Sequence, residues 1–97
     1  MPATNATIAT PEASRLIRRL CTHWGHTFTV DFDEQQGVVT FHDDVVLRLR
    51  AGEDALEARI EACDTPALER FEGVVENHLQ RMARATRLQF DWRADRN

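Results

Sequence analysis

The alternation of apolar and polar residues between positions 28 and 62 is the strongest constraint on the fold of this chain. Apolar side chains recur there at every second position, and only the short polar stretches 34–37, 42–44 and 52–54 interrupt them. A period of two places one side of an extended chain in a core and the other in solvent. Links this short join antiparallel neighbours, because parallel strands need a crossover of a dozen or more residues. We therefore expect four consecutive antiparallel strands.

An amphipathic helix is predicted before this meander. Thr10-Pro11 has the character of a helix start, with Thr10 as the cap and Pro11 at the first helical position. Apolar residues then recur at three- and four-residue steps, opposite a row of arginines, as far as about His23. Gly25 follows where a glycine would end the helix.

A second helix is predicted after the meander, because Thr65-Pro66 repeats the Thr-Pro start. One stripe of this helix carries Leu68, Phe71, Val75, His78, Leu79 and Met82. Beyond Arg84 the alternation returns as far as Arg93, which predicts a last strand.

The fold class follows from these periods. A short strand around Ala6 precedes the first helix, so the order is β-α-β-β-β-β-α-β. Each helix has one apolar stripe and each strand one apolar face, and laying both helices on one face of the sheet buries all of them. We predict an α+β two-layer sandwich with an antiparallel sheet of about six strands. The 97 residues form one domain, with a core at about 6–93 and flexible ends at 1–5 and 94–97.

Composition narrows the classes of partner and compartment. Net charge is −4, every basic residue is arginine, and acidic residues predominate in the middle of the chain, which disfavours nucleic acid. No apolar run approaches the roughly 20 residues that span a bilayer, and the first ten residues do not resemble a signal peptide. Cys21 and Cys63 form no CxxC pair, which fits a reducing compartment. We expect a cytoplasmic protein that binds neither membranes nor nucleic acid.

The stretch Cys21-x-His23-x-x-His26 is the candidate metal site. Thiolate and imidazole are the usual ligands of zinc and other transition metals. Positions 21 and 23 lie about 200° apart around a helix, so Cys21 and His23 share an ion only if the helix has already ended. A fourth ligand would come from His42, Cys63 or His78. The metal hypothesis therefore rests on Cys21, His23, His26 and His78, with iron, zinc or haem as the candidate cofactors.

A structural interpretation of the same residues needs no metal. Cys21 is then a small buried hydrophobe, His23 lies in the last helical turn and His26 opens a strand. His78 lies on the apolar stripe of the second helix, where a buried imidazole needs a hydrogen-bond partner. Contact between His23 and His78 across the two helices would favour a site.

Other chemistries lack support in the sequence. Ser14 is the only serine and has no G-x-S-x-G context, and Asp43-Asp44 fits a hairpin turn better than a catalytic pair. Calcium-loop, phosphate-loop and dinucleotide motifs are absent. Arginines on the two helices would form an anion-binding face if the helices lie side by side, or they simply solvate the helix exteriors. We expect a protein that is not an enzyme.

Three stretches of the chain resemble one bacterial family. "LCTHWGH", the following "FTVDFDEQQGVVTF" and the later "EGVVENHLQRMARATRLQFDW" are similar to the family called Domain of Unknown Function 2218, over residues 9–92. The family has no established activity. The resemblance implies an association with siderophore-interacting flavin reductases, which release iron from its chelates in the cytoplasm.

Two functions remain open on these grounds. The first is a non-catalytic accessory in iron or siderophore handling that binds a metal, haem or a ferric chelate, with a siderophore-interacting flavin reductase as partner. The second is an interaction or oligomerisation module, including a homodimer, which pairs through an open sheet edge or the outward Val46.

Overall fold

The chain folds into two layers, a six-stranded antiparallel sheet and two helices that cover one of its faces. The computed structural model describes residues 2–42, 44–83 and 87–94. The elements in chain order are β1 Ala3–Ala9, α1 Ala13–Trp24, β2 Thr29–Phe32, β3 Gln36–His42, β4 Val45–Ala51, β5 Ala55–Ala62, α2 Thr65–Met82 and β6 Arg93–Ala94. The strands are arranged β2-β3-β4-β5-β1-β6. The predicted α+β sandwich and its element order are confirmed.

The core lies between the helices and the inner face of the sheet. The fully buried residues of α1 include Leu16, Ile17 and Leu20, and they face fully buried side chains such as Leu47 and Ile60. Burying a side chain of this size contributes roughly 1.5–3 kcal/mol. The alternating residues of β4 and β5 that face away from the helices are mostly polar or charged, so the opposite face of the sheet is exposed.

Helix α1 begins later than the Thr-Pro signal predicts. Its first residue is Ala13 and its cap position is Glu12, which makes no side-chain capping bond. The Thr10 hydroxyl accepts a hydrogen bond from the Glu12 backbone N–H over 3.1 Å, which organises the turn before the helix. The chain therefore uses Thr10-Pro11 as a turn that leads into the helix.

The end of α1 continues as a turn before β2 begins. Gly25 keeps right-handed backbone angles, with φ of −62°, although a left-handed glycine is the common helix terminator. The N–H groups of Thr27 and Phe28 donate to the Trp24 carbonyl over 3.0 and 2.8 Å. Strand β2 starts only at Thr29, because residues 25–28 form this turn.

Helix α2 is capped by the residue before its Thr-Pro pair. The Asp64 carboxylate accepts a hydrogen bond from the Ala67 backbone N–H over 2.8 Å, and Thr65 and Pro66 lie in the first turn. Aspartate is among the best capping residues, since it also complements the positive end of the helix dipole. None of the helices in the described parts of the chain is long and apolar enough to cross a membrane.

Strands β1 and β6 lie near the two ends of the described chain. Strand β1 begins at Ala3 and includes buried Thr4. Strand β6 contains only Arg93 and Ala94, and the preceding residues 87–92 form no strand. Part of the predicted flexible ends, residues 1 and 95–97, lies outside the described residues.

Candidate functional site

Cys21 belongs to the core of the molecule. It lies on the buried side of α1 with no exposed surface. A Cβ placed on Gly37 would lie only 2.8 Å from the Cys21 Sγ, so the thiol packs directly against β3. Burial raises the pKa of Cys21 to about 11. Burial thus disfavours the thiolate, which is the form of cysteine that binds metal ions.

The remaining residues of the predicted set divide into an exposed group and a pair. His26 is exposed in the turn after α1. The alternative ligands are also exposed, His42 as the last residue of β3 and Cys63 directly after β5. Nowhere in the described residues do three or more histidine, cysteine, aspartate or glutamate side chains converge in a way that suits a metal ion. Helix α1 continues through Trp24, so Cys21 and His23 lie about 200° apart around it and do not face a common ion.

His23 and His78 do meet across the two helices. His23 lies in the last turn of α1 and His78 in the second half of α2. The centroids of their rings are 5.5 Å apart and the ring planes are inclined by 42°. His23 is exposed and His78 is half-buried, so the pair lies at the surface where the helices approach each other.

The backbone of α2 sets the tautomer of His78. The Nδ1 atom of His78 lies 2.8 Å from the Val74 carbonyl oxygen. A carbonyl oxygen only accepts, so Nδ1 carries the proton and donates it. The neutral ring then presents its lone pair on Nε2. Metal-ligating histidines are commonly oriented by this kind of bond from the second ring nitrogen.

A cluster of aromatic rings supports the histidine pair. The Trp24 ring lies 4.9 Å from the His78 ring and 4.8 Å from Phe41, measured between centroids. Phe28 and Phe71 each pack against Phe41, at 4.9 and 4.8 Å. These rings come from α1, β3, α2 and the turn after α1. The sequence marks several of them as inward-facing, but it contains no signal that they share one cluster.

One of the helical arginines, Arg15, has structural contacts. Arg15 on α1 pairs with Glu12 over 2.9 Å and donates to the Met82 carbonyl over 3.1 Å. The second bond satisfies a carbonyl in the last turn of α2 and places a positive charge at the negative end of its dipole. Arg18 and Arg19 are exposed, and Arg84 lies outside the described residues.

Comparison with known proteins places this arrangement in a bacterial family. A search of functionally curated proteins finds no match. The solved structure described as "NMR structure of PA4090 from Pseudomonas aeruginosa" is similar, with a TM-score of 0.82 and 33% sequence identity, over 96% of each chain. A family of uncharacterised proteins conserved in bacteria, DUF2218, matches residues 5–93, which is almost the whole fold. This protein belongs to the DUF2218 family.

Proposed function

We propose that this protein is a non-catalytic cytoplasmic accessory in iron or siderophore handling, and that His23 and His78 bind the metal of its ligand. The observation that carries the proposal is the 5.5 Å separation of two imidazole rings supplied by different helices. Imidazole is a common ligand of zinc and iron. The iron assignment comes from the resemblance to proteins associated with siderophore-interacting flavin reductases, and such a reductase is the proposed partner.

The ring separation favours one ion between the two histidines. With a metal–nitrogen distance of about 2.0–2.1 Å, each ring centroid lies about 3.2 Å from a bound ion. A separation of 5.5 Å lies within the span of two rings that would hold one such ion between them. Two histidines on opposite faces of a haem would need about 6.4 Å. The geometry thus fits a single metal ion or a metal chelate better than a haem between the rings.

Two protein ligands leave most of the coordination positions open. A structural zinc site takes four protein ligands, whereas sites that bind an exogenous molecule keep positions free. The pair is at the surface, with His23 exposed, so a chelate that brings its own oxygen donors has access. This is why we propose a metal carried by a small chelator.

Metal titration of single-residue variants tests the proposal. We expect Zn²⁺ and ferric citrate each to bind wild-type protein at one site, measured by isothermal titration calorimetry. His23→Ala and His78→Ala should each weaken binding at least tenfold, because each removes one of two ligands. The matched control is His26→Ala, which removes an exposed histidine nearby and should bind like wild type.

The outcomes separate the hypotheses. Equal affinity in wild type and both variants, or equal loss in His26→Ala, would contradict the histidine-pair site. A Soret band that forms when haem is added, and that disappears in His78→Ala, would identify haem instead of a metal chelate as the ligand. Trp24, at 4.9 Å from His78, provides a second readout, since bound iron should quench its fluorescence.

The second candidate function is an interaction module, and one observation favours it. Strand β2 forms an open edge of the sheet, and its Phe32 is the large apolar side chain that stands out as exposed, at 41%. Open edges pair readily with another strand. Absence of metal binding together with a concentration-dependent dimer in sedimentation would favour this function.

A further inference from the structure

The face of the sheet opposite the helices contains a groove lined by arginines. Four neighbouring strands, β3, β4, β5 and β1, contribute to this groove of about 330 Å³. Its charged lining residues are Arg48, Arg50, Arg59 and Glu57. The lining therefore carries three positive charges and one negative charge, and Glu61, which pairs with Arg48 and Arg59, lowers the local net charge to +1, although the whole chain carries −4.

Two of these arginines lie where their positive charges repel each other. Arg48 on β4 and Arg59 on β5 are directly opposite each other in the strand register. Like charges in that position are destabilising. Glu61 relieves the repulsion by accepting from Arg59 over 3.0 Å and from Arg48 over 3.2 Å. The Arg59 hydrogen bond, aided by Arg48, holds the pKa of Glu61 below its ordinary range, so the bridge remains ionised.

Guanidinium N–H groups of Arg48 and Arg50 remain available to a ligand after these bonds are counted. Arg48 uses its Nε–H for Glu61, and its two terminal nitrogens make no hydrogen bond to any described residue. Arg50 is exposed and makes no hydrogen bond or ion pair within the described parts of the chain. It lies two residues after Arg48 on β4, on the same face of the sheet. A guanidinium presents its donors in a planar fork that suits carboxylate and phosphate oxygens.

The side chains on the floor of the groove leave room for a small ligand to approach the arginines. The outward positions beside Arg48 and Arg59 hold the short side chains of Val38 on β3 and of Asn5 and Thr7 on β1, while Gln36 on β3 lies opposite Arg50. The volume is at the lower end of the range for small-molecule sites, which is roughly 300–1,000 Å³. A small molecule therefore fits the groove better than a large polyanion.

We infer that this arginine groove binds a small organic anion that carries carboxylate or phosphate groups, with Arg48 and Arg50 as its principal contacts. This site is on the opposite layer from His23 and His78 and is independent of the proposed metal binding. Arg59 contributes charge and is itself positioned by Asn5, whose side-chain oxygen accepts from it over 3.2 Å.

NMR titration of isotope-labelled protein tests the inference. Citrate and pyrophosphate, used separately as probes, distinguish carboxylate from phosphate recognition. We expect saturable amide shifts in β3, β4, β5 and β1 for at least one probe. Arg50→Gln and Arg48→Gln should each raise the dissociation constant at least fivefold. Glu57→Gln should lower it, because it removes the negative charge opposite Arg50 in the register.

The matched control is Arg18→Gln, which removes one arginine charge from the exposed side of α1. Its dissociation constant should equal that of wild type. Shifts that do not saturate with either probe, or an equal loss in Arg18→Gln and Arg50→Gln, would overturn the inference, since binding would then follow overall charge. Because these arginines are exposed, the variants should fold, and an unchanged unfolding midpoint verifies this.

Discussion

At Gly37 the lack of a side chain lets helix α1 lie directly against strand β3. A Cβ at this position would lie 2.8 Å from the Cys21 Sγ and 3.3 Å from the Ile17 Cγ2. Both neighbours are fully buried, so neither has open space to move into. The backbone angles of Gly37 are not left-handed, so close packing, and not backbone conformation, explains the glycine.

Substitution of this glycine should therefore destabilise the protein. We expect Gly37→Ala to lower the free energy of unfolding by about 1–3 kcal/mol, the usual cost of overpacking a core. Gly73→Ala is the control, because a Cβ there meets nothing within 4 Å in the middle of α2. It should raise stability by roughly 0.5–1 kcal/mol through helix propensity. Urea denaturation measures both, and an unaffected Gly37→Ala would contradict the close packing.

A double variant identifies the atom responsible. Cys21→Ala removes the Sγ that the new methyl group would meet. The destabilisation of Gly37→Ala with Cys21→Ala should be smaller than the sum of the two single effects, because contacting residues are not additive. An additive result would assign the clash to another neighbour.

At the scale of elements, the segment from residue 87 to 92 alternates without being a strand. Leu88 is buried, Gln89 is exposed and Phe90 is half-buried, as a strand pattern predicts. Two of its hydrogen bonds, however, go to α2. The Leu88 N–H donates to the Gln80 side chain and the Trp92 indole N–H donates to Glu76, each over 2.8 Å. Alternation reports which residues are buried, and it does not report whether the backbone pairs with another strand.

The contact between Trp92 and Glu76 should hold this segment to the helix. We expect Glu76→Ala to speed hydrogen exchange of the Trp92 indole N–H and to cost about 1 kcal/mol of stability, the usual value of such a bond. Glu76→Gln keeps an acceptor oxygen and should behave almost like wild type. The Trp24 indole is an internal control in the same NMR spectrum. Unchanged Trp92 exchange in Glu76→Ala would show that packing alone holds the segment.

At the scale of the whole molecule, the two faces of the sheet have different chemistry. On the side covered by the helices lies the core, with the histidine pair at the outer surface of the helix layer. The opposite side has the arginine groove. The chain has no lysine and no tyrosine, so cysteines are the only side chains that titrate between about pH 8.5 and 11. Alkaline pH therefore acts on stability through very few groups.

This composition makes the burial of Cys21 measurable. Its folded pKa is raised from 9.0 to about 11, so the unfolded chain loses the thiol proton first. The contribution of the protonated Cys21 thiol to the free energy of unfolding is fully present below about pH 9 and is lost as pH rises to about 11. In a Cys63→Ala background we expect the free energy of unfolding to fall by about 2–3 kcal/mol over that range. Replacing Cys21 by alanine as well should abolish the fall, and its persistence would assign it to another group.

Much of the candidate site could not be predicted from local sequence. The C-x-H-x-x-H spacing points to Cys21, His23 and His26, yet the structure brings together only His23 and the distant His78. The reason is that α1 continues through Trp24, so the thiol of Cys21 turns into the core while His23 faces α2. The arginine groove could not be predicted from local sequence either, because the register that sets Arg48 opposite Arg59 depends on how β4 and β5 pair.

The class of fold follows from the sequence alone, because hydrophobic periodicity is a local property. The change from a helical period to alternation and back specifies the order of elements, and the short links at residues 34–37, 42–44 and 52–54 require antiparallel neighbours. Which chemical groups meet depends instead on how the helices and strands pack together. The contact of His23 with His78, the aromatic cluster beneath them and the position of β6 beside β1 join residues far apart in the chain. Such contacts depend on the packing of whole elements, which no local pattern encodes.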